Sequence, residues 1–208
     1  MKIAIIGAGA GIGLESVGLA LKRGHTITAL SRNTDDIPNH PSLTKMNGSA
    51  TSALDLKNAI EGADAVLVTV GTKSKKATML FSEIAKALIE VCNELNFSSP
   101  VLVITGFGAG ESKGYLSLFM KTVIALFLKD QYVDKTRMEE LIINSSIKWE
   151  IIRPGMLTNN RNSSSYRVLK DLSKGMKVGK ISRANVAKFL IGEAEEPRML
   201  NHFVTLTN

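Results

Sequence analysis

The sequence predicts an α/β fold, a doubly wound, mainly parallel sheet with helices on both faces, in a single domain over residues 1–208. Three observations predict it. Short β-branched runs alternate with apolar segments of helical period, joined mostly by short loops, and no linker or internal repeat divides the chain. The runs 65–70 and 101–105 are almost wholly apolar, as strands buried on both faces are. The first thirteen residues, MKIAIIGAGAGIG, read as a strand, a tight glycine turn and the start of a helix.

That opening stretch is the most informative. Its glycines stand at Gly7, Gly9, Gly11 and Gly13. The G-x-G-x-x-G spacing fails because Ile12 occupies the third glycine position, whereas G-x-x-x-G-x-G fits Gly7, Gly11 and Gly13. Glycine is wanted where the turn needs angles closed to a Cβ, where a pyrophosphate approaches bare backbone, and where the helix packs close to the strand it has left. The first N–H groups of that helix have no internal acceptor, and a pyrophosphate supplies one. The competing readings are a secretion signal and a turn that binds nothing. Removing a signal here would delete the first strand, and the run is too rich in glycine for an apolar signal core.

A helix over 12–23 follows, and Gly24 stands where a left-handed cap is wanted. Residues 25–31, HTITALS, form the second strand. It ends in Ser31-Arg32-Asn33 with no acid before Asp35, which favours a 2′-phosphate on arginine, hence NADP(H), over a ribose hydroxyl on a carboxylate. After a loop over 35–42 with two prolines, 43–47 is a short third strand, and Ser52 and Asp55 resemble a capping box opening a helix to about residue 61, stopped by Gly62. The fourth strand, 65–70, ends in Gly71 and Thr72 at the ligand edge of a parallel sheet, and Lys73, Lys75 and Lys76 would favour anions nearby.

Apolar positions at Leu80, Ile84, Leu88, Val91 and Leu95 give a helix in which Cys92 reads as a small core residue. Pro100 opens the fifth strand, 101–105, before a loop over 106–114 with four glycines. The apolar stretch 116–128 reads as a core helix for most of its side chains, with a substrate lid or pocket wall as the alternative. A helix over 134–143, a sixth strand over 149–152, a turn at Arg153-Pro154-Gly155, a polar mobile segment over 159–165, a capped helix starting near Ser182 or Arg183, and a last, edge strand over 202–206 complete the chain.

Composition narrows the partners. The net charge of +7 comes from scattered basic residues with acids between many of them, without a basic arm or aromatic-interleaved stripe, so nucleic acid is not expected and an anionic cofactor explains the charge equally well. No apolar stretch is long enough to span a membrane. A single cysteine excludes an internal disulfide and suggests a reducing, cytoplasmic setting. No metal site is expected, and the protein is expected as a monomer or small homo-oligomer.

In order and spacing, GAGAGIG at 7–13, SRN at 31–33, VGT at 70–72, ITGFGAGESKG at 104–114, DKTRMEELI at 134–142, RPG at 153–155 and ISRANVAKFL at 181–190 resemble the atypical and extended short-chain dehydrogenase/reductases. Within them the chain is similar to small NAD(P)H-binding proteins of the biliverdin-IXβ/flavin reductase and NmrA-like groups. The resemblance covers nearly the whole chain and implies a Rossmann-like fold. It implies that Gly7, Ala8, Gly9, Ala10, Gly11, Ile12 and Gly13 hold pyrophosphate, that Arg32, between Ser31 and Asn33, receives the 2′-phosphate, and that Val70, Gly71 and Thr72 lie on the adenosine and ribose side. Thr105 would neighbour the nicotinamide ribose, and Pro154, Gly155 and Met156 would lie against the nicotinamide. The substrate side would be formed by about 106–130 and 154–180. The acid that many relatives place after the third strand is absent; Asn47-Gly48-Ser49 stands there.

The same resemblance exposes a departure in catalysis. Catalytic relatives use a serine after the fifth strand and a Tyr-x-x-x-Lys pair. Here Gly106 follows Thr105, Lys135 matches the lysine, Gln131 stands four residues before it, and Tyr132 is displaced by one, which predicts a hydroxyl pointing elsewhere. Thr105 and Lys135 remain the catalytic candidates. The expected activity is an NADPH-dependent reductase acting on a small conjugated acceptor, a flavin or quinone, that tolerates protonation from solvent, with an open pocket around Phe107, Tyr115 and Phe119. The alternative is a non-catalytic NAD(P)H-binding sensor or assembly module; a nucleotide-sugar epimerase is disfavoured because it also needs the tyrosine and a larger substrate domain.

Overall fold

The computed structural model describes residues 1–72, 79–160 and 165–208; Lys73, Lys75 and Lys76, and positions 161–164 of the polar segment expected to be mobile, lie outside the described residues. Central strand β1 (Lys2–Ile6) runs parallel to β2 (Thr26–Ser31) on one side and to β4 (Ala65–Val68) on the other. Outside β2 lies β3 (Leu43–Asn47). Beyond β4 come β5 (Val101–Ile104), β6 (Trp149–Pro154) and β10 (Phe203–Thr207), all parallel, and β8 (Arg167–Leu169) closes the sheet antiparallel to β10. The strand order reverses between β1 and β4, so the crevice for a ligand opens at their carboxyl ends.

The period of two along β1 sorts the core. Ile3 and Ile5 face the cluster under α1 (Gly11–Lys22) and α6 (Arg183–Glu195), while Ala4 and Ile6 face the cluster under α2 (Ala53–Ile60), α3 (Leu80–Glu94) and α5 (Lys129–Ile143). In α3 the apolar positions fall on one stripe, with Phe81, Ile84, Leu88 and Val91 buried beside Cys92, whose thiol burial pushes up to about 12. No side chain of α3 caps its own start. The buried Asp134 carboxylate of α5 does so, accepting the N–H of Phe81 at 2.8 Å and of Ser82 at 3.2 Å. At α2 the expected capping box is half made. Ser52 Oγ accepts Asp55 N–H at 3.2 Å, but the Asp55 carboxylate accepts from Ser49 N–H at 2.8 Å instead.

Four expectations are corrected. The segment at 202–206 is not an edge strand, because β8, three residues too short to read from pattern, pairs outside it. Arg153 and Pro154 do not turn away but extend β6, and the chain leaves the sheet only after Gly155, whose Cβ would lie 2.3 Å from the Gly179 carbonyl. Helix α5 begins at Lys129, continuous with α4 (Leu118–Val123) and a π-helical turn at Ile124–Leu128. The stretch 116–128 is not core. Leu116 and Ile124 are buried, but Leu118 is 82% exposed and Phe119 69%, because α4 rests on a small third cluster with one side only. From Gly155 the chain enters a separate parallel pair, β7 (Met156–Thr158) with β9 (Lys180–Ser182).

Glu150 of β6 is fully buried, and neither carboxyl oxygen has a hydrogen-bond partner among the described residues. Burial, and then the charge of nearby Glu193, push its carboxyl up to about 8. The folded chain therefore holds a proton that the unfolded chain releases, and this group costs stability progressively as pH rises from its ordinary value of 4.5 through about 8. Glu150→Gln is expected to stabilise the protein by about 1–3 kcal/mol near pH 8 and by much less near pH 5. Denaturant melts at the two pH values check this; an equal effect at both would remove the titration argument.

Candidate dinucleotide site

The glycine turn is held shut by backbone. Gly7 and Ala8 N–H groups both donate to the Leu30 carbonyl, at 2.9 and 3.2 Å, and Thr69 Oγ1 donates to the Ile6 carbonyl at 3.0 Å. Gly7 has φ +88°, and its Cβ would sit 2.8 Å from Val70 N; a Cβ on Gly13 would meet the Gly7 carbonyl oxygen at 2.2 Å. A side chain at either place is excluded by the strand-to-helix crossing itself. Gly9, which the matched spacing leaves free, is equally required, since its Cβ would strike the Asn33 carbonyl oxygen at 2.2 Å and Ser31 Oγ at 2.5 Å. The structure thus brings residues 7–13, Ser31, Asn33 and Val70 together around one crevice.

Helix α1 opens there with no side-chain cap on Ala10 and no acid in its first turn. Bare glycine backbone with unpaired N–H groups at the positive end of a helix fits the pyrophosphate of a dinucleotide. Arg32, at the end of β2, is exposed and makes no ion pair or hydrogen bond among the described residues. The Asn33 side chain is occupied locally, accepting from Asp35 N–H at 2.7 Å. Gly71 is exposed with open space where a Cβ would lie, beside half-buried Thr72. At the place of the missing acid, a Cβ on Gly48 would meet the Asp55 carboxylate at 2.8 Å; that carboxylate is the one bound to Ser49 N–H.

At the carboxyl end of β5 one face of α5 supplies a polar chain. Lys135 Nζ donates to the Thr105 carbonyl at 2.8 Å, and Thr105 Oγ1 donates to Glu139 Oε1 at 2.6 Å. Glu139 in turn receives Arg153 through Nε at 3.0 Å and Nη2 at 2.6 Å, and Arg153 also binds Glu111 through Nη1 at 2.6 Å and Nη2 at 2.9 Å. Burial opposes the guanidinium charge, but Glu139 and Glu111 outweigh it and hold its pKa above the ordinary value. Burial also brings the Lys135 ammonium down to about 8 against the opposing pull of Glu139. Pro154 and Gly155 lie beside this chain, and Met156 is exposed at the start of β7.

Tyr132 does not point elsewhere. A Cβ on Gly106 would lie 3.1 Å from Tyr132 Oη and 3.5 Å from Lys135 Nζ, so the hydroxyl occupies the neighbourhood of the missing serine. Positions i and i+3 of a helix lie only about 60° apart, so the one-residue slip keeps Tyr132 on the face of Lys135. The pair is wired differently, however. Lys135 Nζ stands 5.3 Å from the Tyr132 ring centroid and donates to a carbonyl, and burial raises the phenol pKa, so the hydroxyl stays neutral. The expected open aromatic pocket is also corrected. Phe107 is buried in the third cluster with Leu116 and Ile124, while Phe119 is exposed away from such a core. The 106–114 loop is tied down, with Phe107 N–H on the Pro154 carbonyl and Gly110 N–H on Thr136 Oγ1, both at 3.0 Å.

Sequence reasoning missed Thr69, Glu139 and Arg183. Glu139 and Arg183 lie inside motifs quoted above, but only the fold shows that they turn inward. Gly13→Ala is expected to cost about 1–3 kcal/mol and to abolish nucleotide binding. Gly18, in the same helix with open space around it, is expected to accept alanine with a gain of about 0.5–1 kcal/mol. Thermal melts and nucleotide titration of the two variants check the contrast.

Known proteins share this architecture. A short-chain dehydrogenase/reductase from Veillonella parvula DSM 2008, solved in complex with NADP, superposes with a TM-score of 0.85 at 16% identity, covering 100% of this chain and 94% of that one. ChuY, an anaerobilin reductase from Escherichia coli O157:H7, gives 0.80 at 20% identity, with 100% and 97% covered. In sequence the chain is 26% identical over 218 aligned positions to YhfK of Bacillus subtilis (strain 168), which carries the name of an uncharacterized sugar epimerase; 100% of this chain and 94% of YhfK are covered. The sequence profile of the NAD(P)H-binding family matches residues 7–197, from the first glycine of the turn to the end of the last helix, and the protein belongs to that family.

Proposed function

We propose that the protein is an NADPH-dependent reductase that passes hydride to a small conjugated acceptor such as a flavin or quinone. The observation that carries this reading is the continuity of the glycine-turn crevice with a polar face of α5 at the carboxyl end of β5, where Lys135 holds the Thr105 carbonyl and Gly106 leaves room beside it for an acceptor. Bound NADPH would supply the hydride. The chain's residues do the rest: the glycine turn and the start of α1 bind phosphate, Arg32 receives the 2′-phosphate, and Val70, Gly71 and Thr72 border the adenosine side. Thr105, Pro154, Gly155 and Met156 border the nicotinamide and fix which face is offered. Lys135 holds the Thr105 carbonyl in place, and Tyr132 Oη can give a proton to an acceptor oxygen that needs one.

A second reading, a sensor or assembly module, is favoured by the exposed apolar residues Leu118, Phe119 and Leu126 along one side of the 118–128 segment. Epimerisation, the activity in the YhfK name, asks for a sugar cradle beyond the dinucleotide site. Residues 106–130 and 154–180 leave little chain for one.

Calorimetric titration with NADPH and NADH, followed by loss of NADPH absorbance with flavin and quinone, tests the proposal. Binding with turnover supports the reductase; binding without turnover on any acceptor supports the sensor. Arg32→Ala is expected to weaken NADPH about 10- to 100-fold and to leave NADH nearly unchanged; equal weakening would remove Arg32 from the 2′-phosphate. Tyr132→Phe is expected to slow flavin and quinone reduction by less than about threefold, because both take their proton from solvent, and to slow reduction of a simple ketone or aldehyde by about 100-fold. A large loss with flavin as well would make the hydroxyl essential to every turnover.

A further inference from the structure

We infer that Arg183 is a pyrophosphate clamp that fastens the β7/β9 pair over the dinucleotide, an inference that rests on the cofactor site proposed above. Arg183 is the first residue of α6, immediately after β9, yet its side chain reaches back to the glycine turn. A Cβ on Gly11 would lie 3.5 Å from Arg183 Nε and 3.7 Å from its Cδ. Its Nη1 donates at 2.7 Å to Asn159 Oδ1, one residue past β7. Because β7 and β9 are parallel, with Thr158 paired to Ser182, the two residues leave the same end of the pair side by side.

The charges around this guanidinium do not balance. Arg183 forms no ion pair with any acid among the described residues. It lies instead against the start of α1, where the helix dipole is positive, the first turn has no carboxylate, and Ala10 provides no side-chain cap. A cation set beside uncapped N–H groups is an arrangement that an anion would complete. The guanidinium keeps donors besides the one given to Asn159, in the planar geometry that suits phosphate oxygens. A pyrophosphate lying on Gly11 would therefore be held from below by the turn and from above by Arg183. Through Asn159 the same contact would hold β7, which carries Met156. The clamp acts on the part that NADPH and NADH share, unlike Arg32.

Wild type, Arg183→Ala and Arg183→Lys are titrated with NADPH, NADH and adenosine 2′-phosphate, which lacks the pyrophosphate. Arg183→Ala is expected to weaken NADPH and NADH alike, by about 10- to 100-fold, with adenosine 2′-phosphate unchanged and partial recovery in Arg183→Lys. Backbone amides at 156–160 are expected to gain hydrogen-exchange protection on NADPH binding in wild type and not in Arg183→Ala. Unchanged dinucleotide affinity in Arg183→Ala, a loss confined to NADPH, or an equal loss of adenosine 2′-phosphate from general damage would overturn the clamp. A wild type that binds neither dinucleotide would overturn the cofactor reading itself, whereas binding without turnover would leave the clamp standing and remove only the reductase.

Discussion

The buried pairing of Arg153 with Glu139 is the constraint on which the carboxyl end of β5 and the facing side of α5 depend. The guanidinium is 1% exposed and the carboxylate 3%. Removing one partner of such a pair leaves an uncompensated charge at a cost of about 3–5 kcal/mol. The pair joins the end of β6 to the middle of α5, Thr105 joins it to β5, and Glu111 joins it to the 3₁₀ turn Gly110–Tyr115. Phe203 of β10 lies under the guanidinium, 3.9 Å from ring centroid to Cζ. Four elements are thereby fixed around one side chain, and the Tyr132 and Lys135 face of α5 is aimed at Gly106 as a result.

A second polar contact fixes α5 from its other side. By capping α3, Asp134 anchors the helix between Tyr132 and Lys135, one residue from the latter, so the rotation of the face that carries them is set by backbone N–H groups of a neighbour. The phosphate end is built differently. There the chain is bare backbone and close crossings, with Thr69 bracing the turn, and the nearby arginines follow β2 and open α6. One end is rigid through buried hydrogen bonds, the other through the absence of side chains.

Much of this was legible in the sequence because it rests on local rules. The glycines at 7 and 13 stand where a Cβ cannot, Gly11 takes a positive φ, Ser52 and Ser182 cap the helices that follow them, and Gly24 and Gly62 have positive φ after theirs. What was not legible depends on contacts distant in sequence. Arg153-Pro154-Gly155 reads as a turn, and only the pairing with β10 and the carboxylates of Glu139 and Glu111 show that Arg153 stays in a strand. Tyr132 was misread because its spacing was judged against one pattern rather than against the helix face it shares with Lys135. The stretch 116–128 is apolar enough for a core, but burial needs a neighbour, and nothing in the local pattern says that α4 has one on one side only. Arg183 is polar at a helix start, which is unremarkable until β7 and β9 carry it to the glycine turn.

Strand β8 has a consequence for how copies of this chain meet. Without it, β10 would present a row of unpaired N–H and C=O groups, a template on which another copy could add a strand. The antiparallel cover is only three residues long, and Arg167 secures it by donating to the carbonyls of Lys177 and Asn208. That cover lies between β7 and β9 in the chain, within the segment whose two ends, Asn159 and Arg183, meet beside the glycine turn. The crossing from β7 to β9 and the protection against edge-to-edge polymerisation are thus drawn from the same stretch, and loosening the first weakens the second.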